Sequence, residues 1–412
     1  MRKRTLGVVV AIVGLALGGW APPGTGGREA ETPVQDVLFL RTGGGTTLVR
    51  TGEAAAQVFP GGIPASDWSA VVRATMRRRE TQVVALDTSG TRLWSSVVPG
   101  SLEVKLASAH ADLVALGPPG GSTGYPTGRS WTTLVVVGPD PMDPNTIELR
   151  GNYEPEAFST DGGSLFVVQY LPPLRPSHYR VRRLDLRTER VEGVYTVDGH
   201  LQEAMRGTAR IQAASPDGRR LYTLYTLDEP DGTRRAFVHV LSLDELWAHC
   251  VDLPEGFATA GEQALAIAVA SDGERVFVAD ATSGAVSEID TGALRVTRTA
   301  PAAFFAPGGT AQAVAGHDGT LSLAKGGRLV VLDGATLTTR RTRDLGQRIT
   351  GLQAGRAPGR LYVGVKDRIL VLDTRTGLQL AVIDPTNLGT IDQLGASTRW
   401  LEEQRTAFTC AC

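Results

Sequence analysis

Residues 270–292 read ASDGERVFVADATSGAVSEIDTG and contain the pattern that decides the fold. A tight-turn signal at 270–273 precedes a hydrophobic stretch with an aromatic residue, and a second stretch then ends in an acidic turn that begins at Asp290. Close copies run from Ser215 to Asp244 and from Ser159 to Asp185. Because each copy is a small sheet that cannot bury its own faces, the repeat predicts sheets that stack on their neighbours.

The acidic turn recurs along the chain and measures the length of the repeat. It begins at Asp87, Asp140, Asp185, Asp244, Asp290, Asp333 and Asp373. Intervals of roughly 40 to 60 residues suit a four-stranded antiparallel blade and exceed a leucine-rich or ankyrin unit. The stretches between turns are short and rich in Val, Leu and Tyr, as strands are. The sequence therefore predicts an all-β propeller of four-stranded blades.

The two ends of the chain decide the number of blades. Seven full units run from about residue 61 to about residue 385. Segments 36–41, 46–51 and 54–59 resemble strands b, c and d of a blade that lacks strand a, whereas 390–398 resembles a strand a alone. Joining both ends would complete an eighth blade and remove an open sheet edge. The count favours eight blades, with seven as the alternative.

The unit from 262 to 301 shows how each blade is divided. We expect strand a at 264–270, strand b at 275–280, strand c at 285–290 and strand d at 294–299. Asp272-Gly273 is a signal for a two-residue hairpin between strands a and b, since Gly accepts a positive φ. Asp290 can hydrogen-bond to its own backbone two residues on. We therefore interpret the acidic turns as structural and assign no catalytic residue.

The N-terminus predicts export from the cytoplasm. Arg2, Lys3 and Arg4 precede an apolar run at 6–17, and small residues follow at 19 and 21, as in a secretory signal. An uncleaved membrane anchor is the alternative. The predicted boundaries are a signal or anchor at 1–21, a flexible linker at 22–35, the propeller at 36–398 and a tail at 399–412. The predicted location is extracytoplasmic.

Charge and cysteine content limit the classes of partner and cofactor that we expect. The formal net charge is −1, which gives no reason to expect nucleic acid, and the membrane would be contacted only through the N-terminal segment. Three cysteines are too few for a disulfide framework. We interpret Cys250 as a small buried residue and Cys410 and Cys412 as part of a frayed tail, with a metal clip as the alternative. No metal or cofactor site is predicted, and the protein is expected to be a monomer.

Two stretches resemble a known bacterial repeat. Residues 276–280 with 284–290, and residues 361–363 with 369–373, are similar to the YVTN and WD-repeat-like β-propellers. The resemblance covers about residues 60 to 385 and implies a propeller, but it does not imply one function.

Enzymatic relatives of these propellers provide the alternative function. Ala85 and Asp87 with Gly90 and Trp94 are similar to one quinoprotein repeat, although no other unit supplies the Trp. Lactonase-like propellers gather His, Glu and Arg around the channel, whereas the six histidines here are scattered without a ligand spacing. The alternative is therefore an extracytoplasmic lactonase-like hydrolase or quinoprotein-like dehydrogenase.

Loop length points to one face of the propeller. The b–c connections are long in three neighbouring units, at 117–130, 171–177 and 228–235, and all b–c connections of a propeller emerge on one side. Tyr, Trp and Arg are the residues most often found at binding hot spots. The predicted partner-binding residues are Arg77, Arg78, Arg79, Tyr125, Arg129, Trp131, Arg175, His178, Tyr179, Arg234 and Arg235. We therefore expect a non-catalytic scaffold that binds a protein or glycan of the cell envelope.

Overall fold

The computed structural model describes residues 36–42, 45–51, 56–119, 127–139, 143–229, 231–257, 262–304, 306–384 and 391–396. The predicted signal, linker and tail therefore lie outside the described residues, as do Tyr125, Asp140, Cys410 and Cys412. Within the described ranges the chain forms 33 β-strands and two short 3-10 helices, Ala109–Ala111 and Glu262–Ala264. The chain is thus almost entirely β, as the repeat predicts.

The strands form eight sheets, which we number as blades 1 to 8. Strands β1 (Val37–Thr42), β2 (Gly45–Arg50) and β3 (Ala56–Pro60) belong to blade 8. Blade 1 contains β4 (Ile63–Pro64), β5 (Ala70–Arg77), β6 (Glu80–Asp87) and β7 (Arg92–Pro99). Blade 2 contains β8 (Glu103–Ala107), β9 (Val114–Gly117), β10 (Trp131–Val137) and β11 (Asn145–Arg150). Blade 3 contains β12 (Asn152–Phe158), β13 (Ser164–Leu171), β14 (His178–Asp185) and β15 (Val191–Gly193).

The second half of the chain continues the same order. Blade 4 contains β16 (Tyr195–Thr196), β17 (Thr208–Ala214), β18 (Arg220–Asp228), β19 (Arg234–Ser242) and β20 (Trp247–Asp252). Blade 5 contains β21 (Leu265–Val269), β22 (Arg275–Asp280), β23 (Ala285–Asp290) and β24 (Arg295–Pro301). Blade 6 contains β25 (Gln312–Ala315), β26 (Thr320–Lys325), β27 (Arg328–Asp333) and β28 (Thr339–Asp344). Blade 7 contains β29 (Ile349–Ala354), β30 (Arg360–Val365), β31 (Arg368–Asp373) and β32 (Gln379–Ile383), and β33 (Ile391–Ala396) follows.

Blade 8 closes the ring with strands from both ends of the chain. Strand β33 pairs with β1 in antiparallel register, so that Leu40 lies opposite Leu394 and Leu38 opposite Ala396. Leu38 and Leu40 are fully buried against blade 7. This pairing confirms the eight-bladed count, and the seven-bladed alternative is wrong. Closure pairs both edges of β1, where a free edge would template aggregation.

Stacking of neighbouring blades explains why the middle strands are buried on both faces. Strands β22 and β23 fall at the predicted positions and are buried along nearly their whole length. Phe277 of β22 packs into one cluster with Leu321 and Leu323 of the next blade. The outer strand β24 has a neighbouring strand on only one side, and its residues alternate between exposed and half-buried. Each blade thus buries its faces against its neighbours, as the repeat argument requires.

The turns between strands confirm their structural role, with one correction. The Asp290 carboxylate accepts hydrogen bonds from the backbone N–H groups of Gly292 (2.9 Å) and Ala293 (2.7 Å), so it closes its own turn. Gly273 has the positive φ of 75° that the Asp-Gly signal predicts. The a–b loop, however, spans four residues rather than two, because Ala270 pairs with Arg275. A four-residue loop built around one turn satisfies the same glycine preference.

Asp36 fastens the closing blade to blade 7. Its buried carboxylate accepts a hydrogen bond from the Tyr362 hydroxyl (2.7 Å) and another from the backbone N–H of Arg356 (3.2 Å). Arg356 also forms an ion pair with the carboxylate, at 3.4 Å. Burial, together with the adjacent carboxylate, raises the pKa of Tyr362 well above its usual range. The first described residue of the chain therefore takes part in a buried polar contact between two blades.

Candidate functional site

The long b–c connections form a rim whose frame is rigid. We use the name b–c rim for residues 76–80, 127–131, 171–178, 228–229 and 231–235. The loops of blades 2 and 3 contact each other directly, because the Arg129 backbone N–H donates to the Pro173 carbonyl oxygen at 3.1 Å. The Asn152 side-chain amide donates to the carbonyl oxygens of Thr127 (3.2 Å) and Pro173 (3.1 Å). A Cβ at Gly128 would lie 2.0 Å from the Leu174 carbonyl oxygen, so only glycine permits this approach.

Arg129 positions this loop and does not project from it. Its guanidinium donates to the Thr132 hydroxyl at 3.0 Å, to the Tyr153 carbonyl oxygen and to the Glu154 carboxylate at 2.6 Å. The side chain is three-quarters buried. The prediction that Arg129 contacts a partner is therefore replaced by a structural role, in which it ties the rim loop of blade 2 to the inner strand of blade 3.

We expect Arg129→Ala to lower the free energy of unfolding by about 1 to 2 kcal/mol, because it removes charge-assisted hydrogen bonds to partly buried acceptors. The exposed Arg175 on the neighbouring loop supplies the matched control, and its replacement by alanine should change stability by less than about 0.5 kcal/mol. Urea unfolding of both variants measures the difference. Equal stabilities for the two variants would contradict the positioning role.

Other residues of the b–c rim are free to meet a partner. Trp131 is 58% exposed, Leu174 is 64% exposed and Met76 is 56% exposed. Arg77, Arg78 and Arg79 are exposed beside Met76, and Arg175 is exposed beside Leu174. The sequence analysis named Trp131 and these four arginines. Leu174 and Met76 are not among the predicted residues, because the prediction rested on Tyr, Trp, Arg and one His and left aliphatic side chains out.

The remaining predicted rim residues differ in accessibility. Tyr179 is only 3% exposed, and its ring stacks on Tyr225 with 5.5 Å between ring centroids. It lies within β14, because that strand begins at His178, and its prediction as a surface contact is wrong. His178 is half-buried beside Ser177. Arg234 and Arg235 form ion pairs with Asp228 (2.5 Å) and Glu229 (2.9 Å) on the same hairpin.

The opposite end of the ring contains a large cavity. Its volume is about 1240 Å³, and residues from all eight blades line it at the ends of the inner strands and their a–b turns. Its polar lining includes Asp67, His110, Glu156, Gln212 and His317. The cavity is therefore lined by several ionisable groups.

Glu156 is the most perturbed carboxyl of this cavity. Its Oε1 accepts a hydrogen bond from the Gln212 amide at 2.7 Å, across the seam between blades 3 and 4. Burial among the inner strands raises the pKa of Glu156 to about 7, and the hydrogen bond from Gln212 opposes part of that rise. The register of β12 shifts between Pro155 and Ala157, so Glu156 is the extra residue of a β-bulge. Pro155 was the available signal, since proline within a strand favours edges and bulges.

Asp67, Ser69 and His110 form a second polar cluster at the cavity. Both Asp67 Oδ2 (2.7 Å) and Ser69 Oγ (3.2 Å) approach the same nitrogen of His110, Nδ1. A Ser-His-Asp triad requires the carboxylate and the hydroxyl on different ring nitrogens. This cluster therefore lacks the arrangement of a hydrolase triad. It fixes the a–b turns of blades 1 and 2 to each other.

In the part of the chain that the structure describes, no three His, Cys, Asp or Glu side chains lie close enough together to hold a metal ion. No helix in the described ranges is both long enough and apolar enough to span a bilayer.

Comparison with known proteins supports the architecture. No family model matches the chain, and no curated protein matches it. Apo AztD from Citrobacter koseri is similar in structure, with a TM-score of 0.52 and 12% identity over 88% of this chain and 98% of that chain. BamB from Moraxella catarrhalis gives a TM-score of 0.47 and 12% identity over 81% and 89% of the two chains.

The dihydro-heme d1 dehydrogenase NirN, solved in complex with DHE, gives a TM-score of 0.47 and 14% identity over 79% of this chain and 65% of that chain. At 12% identity, the likeness to AztD shows the fold alone, because one fold serves many functions. The likeness to YVTN repeats therefore continues to rest on the repeat pattern of the sequence. The chain is an eight-bladed β-propeller.

Proposed function

We propose that this protein is an extracytoplasmic binding module whose b–c rim engages a protein of the cell envelope. The observation that carries the proposal is that the interlocked loops of blades 2 and 3 hold Trp131 and Leu174 exposed on an ordered frame. Rigid apolar anchors surrounded by arginine are typical of protein-binding hot spots. The exported location is supported by the basic and apolar N-terminus, Arg2 to Leu17.

The chemistry of the rim favours a protein over a glycan. Leu174 and Met76 are aliphatic and exposed, and they offer contact area that an apolar side chain of a partner can cover. The exposed arginines at 77–79 and 175 can pair with carboxylates at the edge of such a contact. A glycan remains the alternative partner and is a separate outcome of the experiment below.

We expect the double variant Trp131→Ala/Leu174→Ala to lose at least tenfold in affinity for the native partner. Truncation of two anchors removes contact area at the centre of the surface. Leu378→Ala/Leu380→Ala on the outer part of blade 7 is the matched control, since these residues are 64% and 54% exposed. The partner is first cross-linked in native envelope extracts and identified. Titration of each variant with that purified partner then gives the affinity.

Three results decide the proposal. Loss of binding in the rim variant but not in the blade 7 variant, at equal thermal stability, supports it. Equal binding by both variants contradicts it. If the purified partner is a polysaccharide, the partner is a glycan rather than a protein, and the rim is still the binding site.

The alternative function is an extracytoplasmic propeller enzyme that acts in the cavity. The Glu156–Gln212 pair is the observation that favours it, because a carboxyl group with a pKa near 7 is suited to general acid–base catalysis at neutral pH. A panel of lactones and of dye-coupled alcohol oxidations tests this alternative. If turnover disappears in Glu156→Gln, the enzymatic alternative is supported. If turnover is equal in wild type and variant, the activity does not depend on Glu156.

A further inference from the structure

Two sulfur atoms and an imidazole meet between blades 3 and 4, and their residues neither line the cavity nor belong to the b–c rim. We call this the sulfur–imidazole cluster and define it as Gln202, Met205, His239 and Cys250. His239 of β19 and Cys250 of β20 lie directly opposite each other, so their side chains project from the same face of the blade. Met205 is held beside them, because its backbone exchanges two hydrogen bonds with Tyr179, at 2.7 and 3.0 Å.

The distances within the cluster are short. Cys250 Sγ lies 3.9 Å from Met205 Sδ. The amide nitrogen of Gln202 lies 3.4 Å from Met205 Sδ and 2.7 Å from His239 Nε2. Because an amide nitrogen only donates, the His239 Nε2 lone pair and a lone pair of the thioether point at the same electropositive group. The Gln202 amide thus stands where a cation would receive both lone pairs.

The state of the polar groups agrees with a site for a cation. His239 Nε2 accepts a hydrogen bond from the Gln202 amide nitrogen at 2.7 Å, so this ring nitrogen carries a lone pair and can act as a ligand. Gln202 is only 8% exposed, yet its Oε1 accepts no hydrogen bond from the described part of the chain. Buried polar atoms without a partner are rare in proteins, and the amide group that contains this one contacts both Met205 and His239.

We propose that the sulfur–imidazole cluster binds Cu(I) through the Cys250 thiolate, the Met205 thioether and His239 Nε2. Two sulfur atoms bound to one ion at about 2.3 Å each lie about 4 Å apart in trigonal geometry, close to the separation seen. Thiolate and thioether ligands select a soft ion such as Cu(I). Binding releases the thiol proton of Cys250 to solvent and displaces the Gln202 amide from between the ligands.

Charge distinguishes Cu(I) from Zn(II) at this position. One thiolate neutralises Cu(I) completely, whereas Zn(II) would retain one positive charge among buried side chains, which is costly. Cys250 is exposed, so its interpretation as a buried residue is wrong, whereas Met205 and His239 are buried. The route to the site is therefore through Cys250. The ion therefore meets the thiolate first and its neutral ligands afterwards.

The test is an anaerobic titration of the full chain with Cu(I) in competition with the chromogenic chelator bicinchoninate. The Cys-x-Cys pair of the tail can also bind Cu(I), so Cys410 and Cys412 are replaced by serine in every sample. One Cu(I) per chain is expected. Cys250→Ser should abolish retention, and Met205→Leu should weaken it at least tenfold. Met142→Leu changes a methionine that belongs neither to the cluster nor to the b–c rim, and it should leave Cu(I) retention unchanged.

The other results are equally decisive. X-ray absorption of the loaded protein should show two sulfur neighbours and one nitrogen neighbour, and Zn(II) should not be retained under the same competition. Circular dichroism and thermal unfolding confirm that Cys250→Ser is folded. Retention of one Cu(I) by folded Cys250→Ser, or no retention by the parent protein, would overturn the proposal.

Discussion

Replacement of Asp36 by alanine is expected to lower the free energy of unfolding by about 3 kcal/mol, because it removes a buried carboxylate that several groups share. The Tyr362 hydroxyl (2.7 Å) and the Arg356 backbone N–H (3.2 Å) lose their acceptor. Arg356 also loses its ion-pair partner at 3.4 Å. Since these contacts join blade 8 to blade 7, the loss of stability should be concentrated where blade 8 closes the ring.

Asp290→Ala is the matched control, because the Asp290 carboxylate bonds only to backbone groups of its own turn, at 2.9 and 2.7 Å. We expect this change to cost about 1 kcal/mol. Chemical unfolding measures both variants. Hydrogen exchange should show faster opening of β1 and β33 in Asp36→Ala only, since local stability follows local contacts. Equal destabilisation by the two variants, with uniform exchange, would remove the special role of Asp36.

Glu156→Gln is expected to stabilise the protein by about 2 to 3 kcal/mol at pH 8 and by much less at pH 5. Burial raises the pKa of Glu156 from 4.5 to about 7, so the folded state holds this proton to a higher pH than the unfolded chain does. Stability contributed by the neutral carboxyl is present below pH 4.5 and is lost as the pH rises through 7. Glutamine keeps the hydrogen-bonding shape without the charge.

The measurement is the difference between variant and wild-type stability across the pH range. His239 titrates in the opposite sense, because burial lowers its pKa from 6.5 to about 4 and its contribution is lost as the pH falls through that range. The contributions of Glu156 and His239 oppose each other in the pH dependence of wild-type stability. Subtracting the wild-type stability from that of Glu156→Gln isolates the contribution of Glu156. The matched control is Glu154→Gln. The Glu154 carboxylate pairs with Arg129 at 2.6 Å, so its replacement should destabilise the protein. If the stability difference between Glu156→Gln and the wild type does not change with pH, the raised pKa of Glu156 is contradicted.

The repeat predicts most of the fold because its signals are local. Strands β22 and β23 begin and end where the sequence places them, since Asp-Gly and Ile-Asp turns bound two short apolar stretches. The closure is also predictable, because 36–41 and 390–398 are recognisable as strands that lack partners. The short outer strand β16, which pairs in parallel with β20, was not predicted, since two residues carry no periodic signal.

The candidate site was predicted less well because accessibility depends on distant residues. Arg129 is locked by Glu154, which belongs to the next blade and gives no sign of the pairing in the local sequence. Tyr179 is buried because β14 starts one residue before it, and strand boundaries are the least certain part of any pattern. Glu156 and Gln212 lie 56 positions apart and meet only when two blades stack.

The pairing of β1 with β33 also has a consequence for synthesis. Leu40 and Leu394 are direct partners, so nearly the whole chain must leave the ribosome before the ring can close. Until then the edge of β1 lacks its neighbour, and an unpaired edge promotes association with other chains. A contact between such distant positions also slows folding, because the entropy of closing the loop is lost before the contact forms. Strand β33, the last one within the described residues, therefore completes a blade whose other strands emerge first, and the nascent protein must be kept from its neighbours throughout that interval.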